Sequence, residues 1–340
     1  MKSATAFLRL IRLPNLLIVA FTQYMVRWCI LRPGLNGMES LLSQFCLTLP
    51  DDGLHFIMSD FDFFLLSLSW VMMAAAGYII NDYFDVKIDR INKPDLMIID
   101  KGIRRRVAMG AHIVINVIAF LIGLWLSWKY NFLFFGSFIY AITIVLLWFY
   151  STNLKRMFLL GNLVVSMLTA FVPLIVALFE LPLQIRENGH CFFITHTNLN
   201  SLFFIVAIFS LFAFAVTLLR EIIKDIEDYE GDKENGCNTL PVALGISLSK
   251  KIAASLTFLI MALLAGIQYQ QFARGEMNSF WYFTAGLQVP FLVLALRLFT
   301  AQKKKDFTVA GGLAKLIMLS GICYLFLYNH FLMQVLHANQ

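Results

Sequence analysis

Charge is what this chain has least of. Of its 340 residues only 14% are Asp, Glu, Lys or Arg, whereas 59% are hydrophobic. A mean hydropathy of +0.74 excludes an ordinary soluble protein, and no segment between the apolar runs is long enough for a soluble domain. Cysteine is scarce too. Cys29, Cys46, Cys191, Cys237 and Cys323 show no Cys-x-x-Cys spacing and no histidine at metal-ligand distance, which argues against a thiolate metal site and leaves them as packing residues. A disulfide between Cys46 and Cys191, both on expected outer segments, stays open. No cleavable leader is expected either: the run after Lys2, Arg9 and Arg12 is too long for a signal-peptide core and ends at no small-residue cleavage site.

What the chain has instead is a series of apolar runs of roughly 18 to 23 residues, each able to cross a hydrocarbon core of about 30 Å as a helix. They fall at 13–31, 61–80, 107–127, 131–150, 157–179, 202–219, 252–271, 279–299 and 311–333. The expected fold is an all-α integral membrane protein, a bundle of nine transmembrane helices forming one domain over 1–340.

Of the 27 Lys and Arg, only Arg27, Arg32, Lys129, Arg186 and Arg274 fall on one side of such a bundle, and Lys315 lies inside the last span. The positive-inside rule therefore places the N-terminus in the cytoplasm of a bacterial or archaeal cell. The net charge of +6 is mostly this bias, helped by anionic lipid, and calls for no nucleic-acid partner.

Four connections are long. Two are outer, at 32–60 and 180–201. The first holds the turn signals Pro33-Gly34, Asn36-Gly37 and Asp52-Gly53 and is expected to be a loop with one small helix near Leu41 to Leu49, without chemistry. The inner pair, 81–106 and 220–251, is richer in charge.

The second span runs without a breaker into Asn81-Asp82-Tyr83-Phe84-Asp85-Val86-Lys87-Ile88-Asp89-Arg90. At about 100° per residue, Asp85 and Asp89 fall about 60° and 20° from Asp82, so three carboxylates share one face with Asn81 beside them. The sixth span runs into Arg220-Glu221-Ile222-Ile223-Lys224-Asp225-Ile226-Glu227-Asp228-Tyr229-Glu230-Gly231-Asp232, where Asp225, Asp228 and Asp232 repeat the spacing. Gly231 makes Asp232 the least constrained.

Like charges stacked on one helix face repel and invite a counter-ion. Carboxylate and amide oxygens without Cys or His suit a hard cation, and Mg²⁺ takes one or two carboxylates and completes its shell with water and phosphate. Two such faces fit a diphosphate bridged by metal, with short cytoplasmic cap helices carrying the motifs. Basic residues flank them: Lys87, Arg90 and Lys93 beside the first, Arg220 and Lys224 beside the second, Lys155 and Arg156 on the loop between. Lys224, abutting Asp225, is expected to contact phosphate, whereas Arg104, Arg105 and Arg106 read as leaflet anchors.

At these residues the sequence resembles the UbiA superfamily of intramembrane prenyltransferases. Its two signatures, Asn-x-x-x-Asp with a further Asp and Asp-x-x-x-Asp, match Asn81 to Asp89 and Asp228 to Asp232. Arg12-Leu13-Pro14-Asn15 is similar to its Arg-x-x-Asn, and Tyr150-Ser151 with Lys155-Arg156 to its Tyr-Ser and Lys-Arg. The resemblance implies Mg²⁺ and diphosphate held by Asn81, Asp85, Asp228 and Asp232, supported by Asp82, Asp89 and Asp225. Substrate contacts are expected from Arg12, Asn15, Asn81, Tyr150, Ser151, Lys155 and Arg156 on this resemblance, and from Arg90, Arg220 and Lys224 as the cations flanking the motifs. The motifs are most similar to the digeranylgeranylglyceryl phosphate synthase branch, although Leu96 to Lys101 stands where that branch has Arg-Pro-x-Pro-Ser-Gly.

The expected reaction is Mg²⁺-dependent transfer from a prenyl diphosphate donor to a lipophilic acceptor within membrane lipid, the acceptor a geranylgeranylglyceryl phosphate-like alcohol or an aromatic quinone precursor. Asp85, Asp228 and Lys224 would stabilise the leaving pyrophosphate, and the Tyr150 ring would face the allylic cation. Two rivals fit less well. A CDP-alcohol phosphotransferase needs an Asp-Gly motif on the inner side, and Asp52-Gly53 is outer; a transporter places its ionisable residues near the midplane.

Overall fold

The computed structural model describes residues 2–42, 54–194 and 199–338. An apolar run in a lipid core has no water for its amides, so each run folds as a helix that pairs them internally. The helices are α1 (Lys2–Leu10), α2 (Leu13–Val26), α3 (Arg32–Leu42), α4 (Asp60–Asn92), α5 (Arg105–Lys129), α6 (Leu133–Thr152), α7 (Leu160–Ile194), α8 (Asn200–Glu227), α9 (Tyr229–Glu234), α10 (Leu240–Leu244), α11 (Ile246–Ala273), α12 (Met277–Phe283), α13 (Val289–Thr300) and α14 (Lys304–Ala338). Among the described residues nine helical segments are long and apolar enough to span a membrane, as hydropathy predicts. The β structure there is one isolated bridge between Ile99 and Ile103. Leu121, Trp128 and Phe134 stand exposed on the outer surface, as lipid-facing side chains do.

The helices run longer than the apolar runs that seed them. α4 joins the second span to the first acidic motif, from a Ser59 cap whose hydroxyl accepts from the Asp62 amide at 3.1 Å. It stops at Asn92 because Pro94 has no N–H and disfavours helix in the residue before it.

Two expected outer loops are partly helix. α2 passes through a π turn at Arg27–Leu31 straight into α3, so Pro33-Gly34 and Asn36-Gly37 make no turn. The Arg32 amide bonds back to the Arg27 carbonyl, and the missing Pro33 amide falls where the regular ladder is already interrupted. Most of the small helix expected near Leu41 to Leu49 lies outside the described residues, as does Asp52-Gly53. The segment expected as a loop from 180 is helix to Ile194, with Pro173 and Pro182 inside α7. Cys29, Cys237 and Cys323 are free thiols. Cys191 is buried in an apolar cluster and is also disulfide-bonded, the possibility left open for it; Cys46 lies outside the described residues.

Among the described residues three apolar clusters build the bundle: one drawn from α2 to α8 with Leu325 of α14, one from α8, α10 and α11 to α14, and a smaller one joining α1, α4, α5 and the turn between α4 and α5, with Phe209 and Tyr328 packed against the first two. Close approach is visible at Gly123 of α5, where a Cβ would lie 2.6 Å from the buried Tyr140 ring of α6. A polar knot closes the end away from the acidic motifs. Arg27, buried between the Phe56 and Phe63 rings, donates to the Met58 carbonyl at 2.7 Å and lies 3.9 Å from the buried Glu180. Asp62 there accepts from Lys129 at 2.7 Å.

Candidate active site

α4 and α8 bring the two acidic motifs to one end of the bundle, and residues at the C-terminal end of α4 and its cap tie them together. The Asn92 amide donates to the Asp228 carbonyl at 3.0 Å and accepts from the Gly231 amide at 3.1 Å. A Cβ at Gly231 would collide with the Asn92 side chain, which is why glycine stands there. Lys93 reaches Asp228 at 3.0 Å, and Lys304 donates to the Asn92 carbonyl at 2.8 Å.

Each carboxylate has its own setting. In the first motif, the Asn81 amide donates to Asp85 at 2.8 Å, and the Lys155 ammonium pairs with Asp85 while donating to the Asn81 carbonyl oxygen at 3.3 Å. Burial pulls the Lys155 ammonium below its ordinary pKa although Asp85 lies beside it. Asp82 is turned to Arg12, 2.8 Å away, and Arg12 also covers the Tyr78 ring. Asp89 sits half-buried one turn beyond Asp85.

The second motif departs from the continuous helix expected for it. α8 ends at Glu227, and Asp228 caps it at φ −94°, ψ 8° before α9 begins, so the break precedes Gly231. Asp225 accepts from Asn162 of α7 at 2.8 Å. Asp232, buried and next to Asp228, is pushed up to about 6, first by burial and then by the Asp228 charge.

Among the described residues no three acidic, histidine or cysteine side chains converge on one point. A cation that takes one or two carboxylates and fills its shell with phosphate and water requires no such triad. The donor set passes a stricter test. Lys155 already places a positive charge between the Asn81 and Asp85 oxygens. On the other motif, Asp228 Oδ1 is buried without a hydrogen-bond partner, although the Lys93 ammonium lies near as an ion pair. The oxygen donors of both acids are of the kind a hard cation takes.

Beside them a cavity of about 230 Å³ penetrates between α2, α4, α6, α7, α8 and α14. Its polar end carries Arg12, Asn15, Asn81, Tyr150, Arg220, Glu221, Lys224 and Lys315, while Val26, Trp70, Phe209 and Leu325 line the remainder. Asn81 and Trp70 are eleven residues apart on α4, so the apolar part is ~17 Å deep. Glu221 draws Arg220 to 2.6 Å and Lys224 to 3.6 Å and holds both at the rim.

Four expected contacts do not line this cavity: Lys155 sits at Asp85 instead, and three others lie elsewhere. Ser151 is buried and donates to its own helix at the Leu147 carbonyl. Arg156 and Arg90 are exposed, on a turn and at the end of α4. Glu221, Asn162, Asn92 and Lys315 are the residues that sequence reasoning missed. Only Lys315 carried a visible signal, an ionisable residue inside an apolar run.

Residues 55–310 match the UbiA prenyltransferase family. The chain belongs to this family. The digeranylgeranylglyceryl phosphate synthase of Methanothermobacter thermautotrophicus is 31% identical over 274 residues, covering 79% of this chain and 81% of that one. The synthase of the same name from Saccharolobus solfataricus is 36% identical over 195 residues, and there the match spans 56% of this chain and 59% of the relative's length. A solved structure reported for a digeranylgeranylglyceryl phosphate synthase in membranes superposes with a TM-score of 0.57 at 21% identity, covering 97% of this chain and 99% of that one. This last likeness establishes the UbiA fold.

Proposed function

We propose that the chain transfers a prenyl group from an allylic prenyl diphosphate to a lipophilic alcohol, a geranylgeranylglyceryl phosphate-like acceptor, inside the bilayer and with its polar mouth on the cytoplasmic side. The observation that carries this reading is the cavity itself, a deep apolar slot ending in a rim of cations beside two acidic motifs. Family membership and the relatives' names support it.

The prenyl tail lies along the slot, where burial of its methylenes favours binding by about 0.8 kcal/mol each. The diphosphate sits at the polar end. Mg²⁺ held by Asn81, Asp85, Asp228 and Asp232, with Asp82, Asp89 and Asp225 outside them, would supply the charge that a departing pyrophosphate needs. Lys155 and Lys224 add fixed positive charge where negative charge grows. The allylic C1–O bond breaks and the electron pair leaves with the pyrophosphate. The Tyr150 ring, on the wall at the polar end of the cavity, would shield the allylic cation from water and attract it. The acceptor hydroxyl then forms the new C–O bond and releases its proton.

The test is incubation of purified protein in lipid with Mg²⁺, farnesyl or geranylgeranyl diphosphate, and a panel of glyceryl phosphate lipids and aromatic acids. Prenylated glyceryl phosphate and stoichiometric pyrophosphate are expected. Absence of both with every donor and acceptor refutes the reading, and product on the aromatic acid alone transfers it to a quinone precursor.

A further inference from the structure

Four cations line the cavity, and their partners differ. Arg12 faces Asp82, and Arg220 and Lys224 share Glu221. Lys315, eleven residues into α14 and within a membrane-spanning segment, has no carboxylate within 4.0 Å among the described residues. Its ammonium donates to the Asn15 side-chain oxygen of α2, a neutral group that orients it and cancels no charge. Arg12, Arg220, Glu221 and Lys224 share this polar end of the cavity with it, and the one carboxylate among them, Glu221, is already taken by Arg220 and Lys224. Lys315 is half-buried and opens on the cavity, and membrane proteins keep ionisable residues inside their spans where a ligand or pathway uses them.

We propose that Lys315, with Arg220 beside it, is the binding site for the phosphate of the acceptor lipid. The donor's diphosphate belongs with Asp85, Asp228 and Lys155, on α4 and the turns at the bundle end. Lys315 lies instead on α14, held across to α2. A glyceryl phosphate acceptor carries its nucleophilic hydroxyl and its phosphate on one three-carbon unit. Its anion must therefore bind beside the reacting carbon and away from the leaving group. A phosphate monoester carries about −1.5 to −2 charges near neutral pH, which matches a site where Lys315 is uncompensated and Arg220 has donors left over after its bond to Glu221. The inference rests on the prenyl-transfer reading for its choice of ligand.

The experiment uses the full chain in lipid, with geranylgeranylglyceryl phosphate and its dephosphorylated alcohol as probes. Lys315→Gln is expected to raise the KM for the phosphorylated acceptor tenfold or more, to leave the KM for the diphosphate donor within twofold, and to leave use of the neutral alcohol unchanged; Lys315→Arg restores most of the affinity. Thermal stabilisation of the donor-free protein by the phosphorylated lipid gives a readout independent of turnover, present in wild type and absent in Lys315→Gln. A donor KM that rises in place of the acceptor's, equal losses on phosphate and alcohol, or a wild type that the lipid does not stabilise each overturns the site. Stabilisation lost in Lys315→Gln while the wild type makes no product with any acceptor keeps the site and refutes the transfer reading.

Discussion

Asp85 and Asp228 sit in different motifs, and each faces a lysine brought from another part of the chain, Lys155 and Lys93. Replacing either acid by alanine removes an oxygen donor to the leaving group's counter-charge, so Asp85→Ala or Asp228→Ala lowers kcat by on the order of 100-fold or more. Insertion and thermal stability stay near wild type, because neither side chain anchors the apolar core. Turnover and a melting curve on the same preparation check both halves of this expectation. Arg27 shows the opposite balance. It touches no part of the cavity, and Arg27→Met leaves Glu180 buried without its cation, which costs about 3 to 5 kcal/mol. Denaturant unfolding in detergent should show that loss, and adding Glu180→Gln should recover part of it. At this scale sequence legibility was uneven: the acids announced themselves by repeated spacing, but nothing in the spacing showed that Asp82 would turn to Arg12 or Asp225 to Asn162.

Helices meet in this bundle where one of them is small. Gly123 lets α5 approach the Tyr140 ring of α6, whose hydroxyl shares a 2.6 Å hydrogen bond with Ser69 of α4. Gly123→Val forces those three helices apart and costs about 1 to 3 kcal/mol, read as a lowered melting temperature. Gly231 is the corresponding contact between α9 and the end of α4. Gly231→Ala displaces Asn92, the side chain that joins the two motifs, so activity should fall well before stability does; kcat and melting temperature measured together separate the effects. The spans were legible because each is a local apolar run. Their ends were less so. Pro33 and Asn36-Gly37 are turn signals in water, yet a π turn and a lipid environment that penalises unpaired amides keep the chain helical there.

The molecule as a whole is polarised, with the two acidic motifs and their cations at one end, a closed ionic knot at the other, and an apolar slot between them. If the polar mouth faces the cytoplasm, a cysteine placed at the exposed Lys87 should react with a membrane-impermeant maleimide only from that side, and one at Arg274, 72% exposed, only from the other. Labelling both positions from the same side would reverse or abolish the proposed orientation.

Hydropathy and a three-then-four repeat of aspartates determined the membrane setting, the helical class and the region of the chemistry, because both signals are local and a helix's geometry is the same wherever it forms. Tertiary structure alone decided which acid meets which cation. Lys93 and Asp228 are 135 residues apart, and Asn15 and Lys315 are 300 apart. Such pairings follow from how α2, α4, α8 and α14 pack around a common cavity, and one helix's periodicity carries no information about its neighbour's rotation.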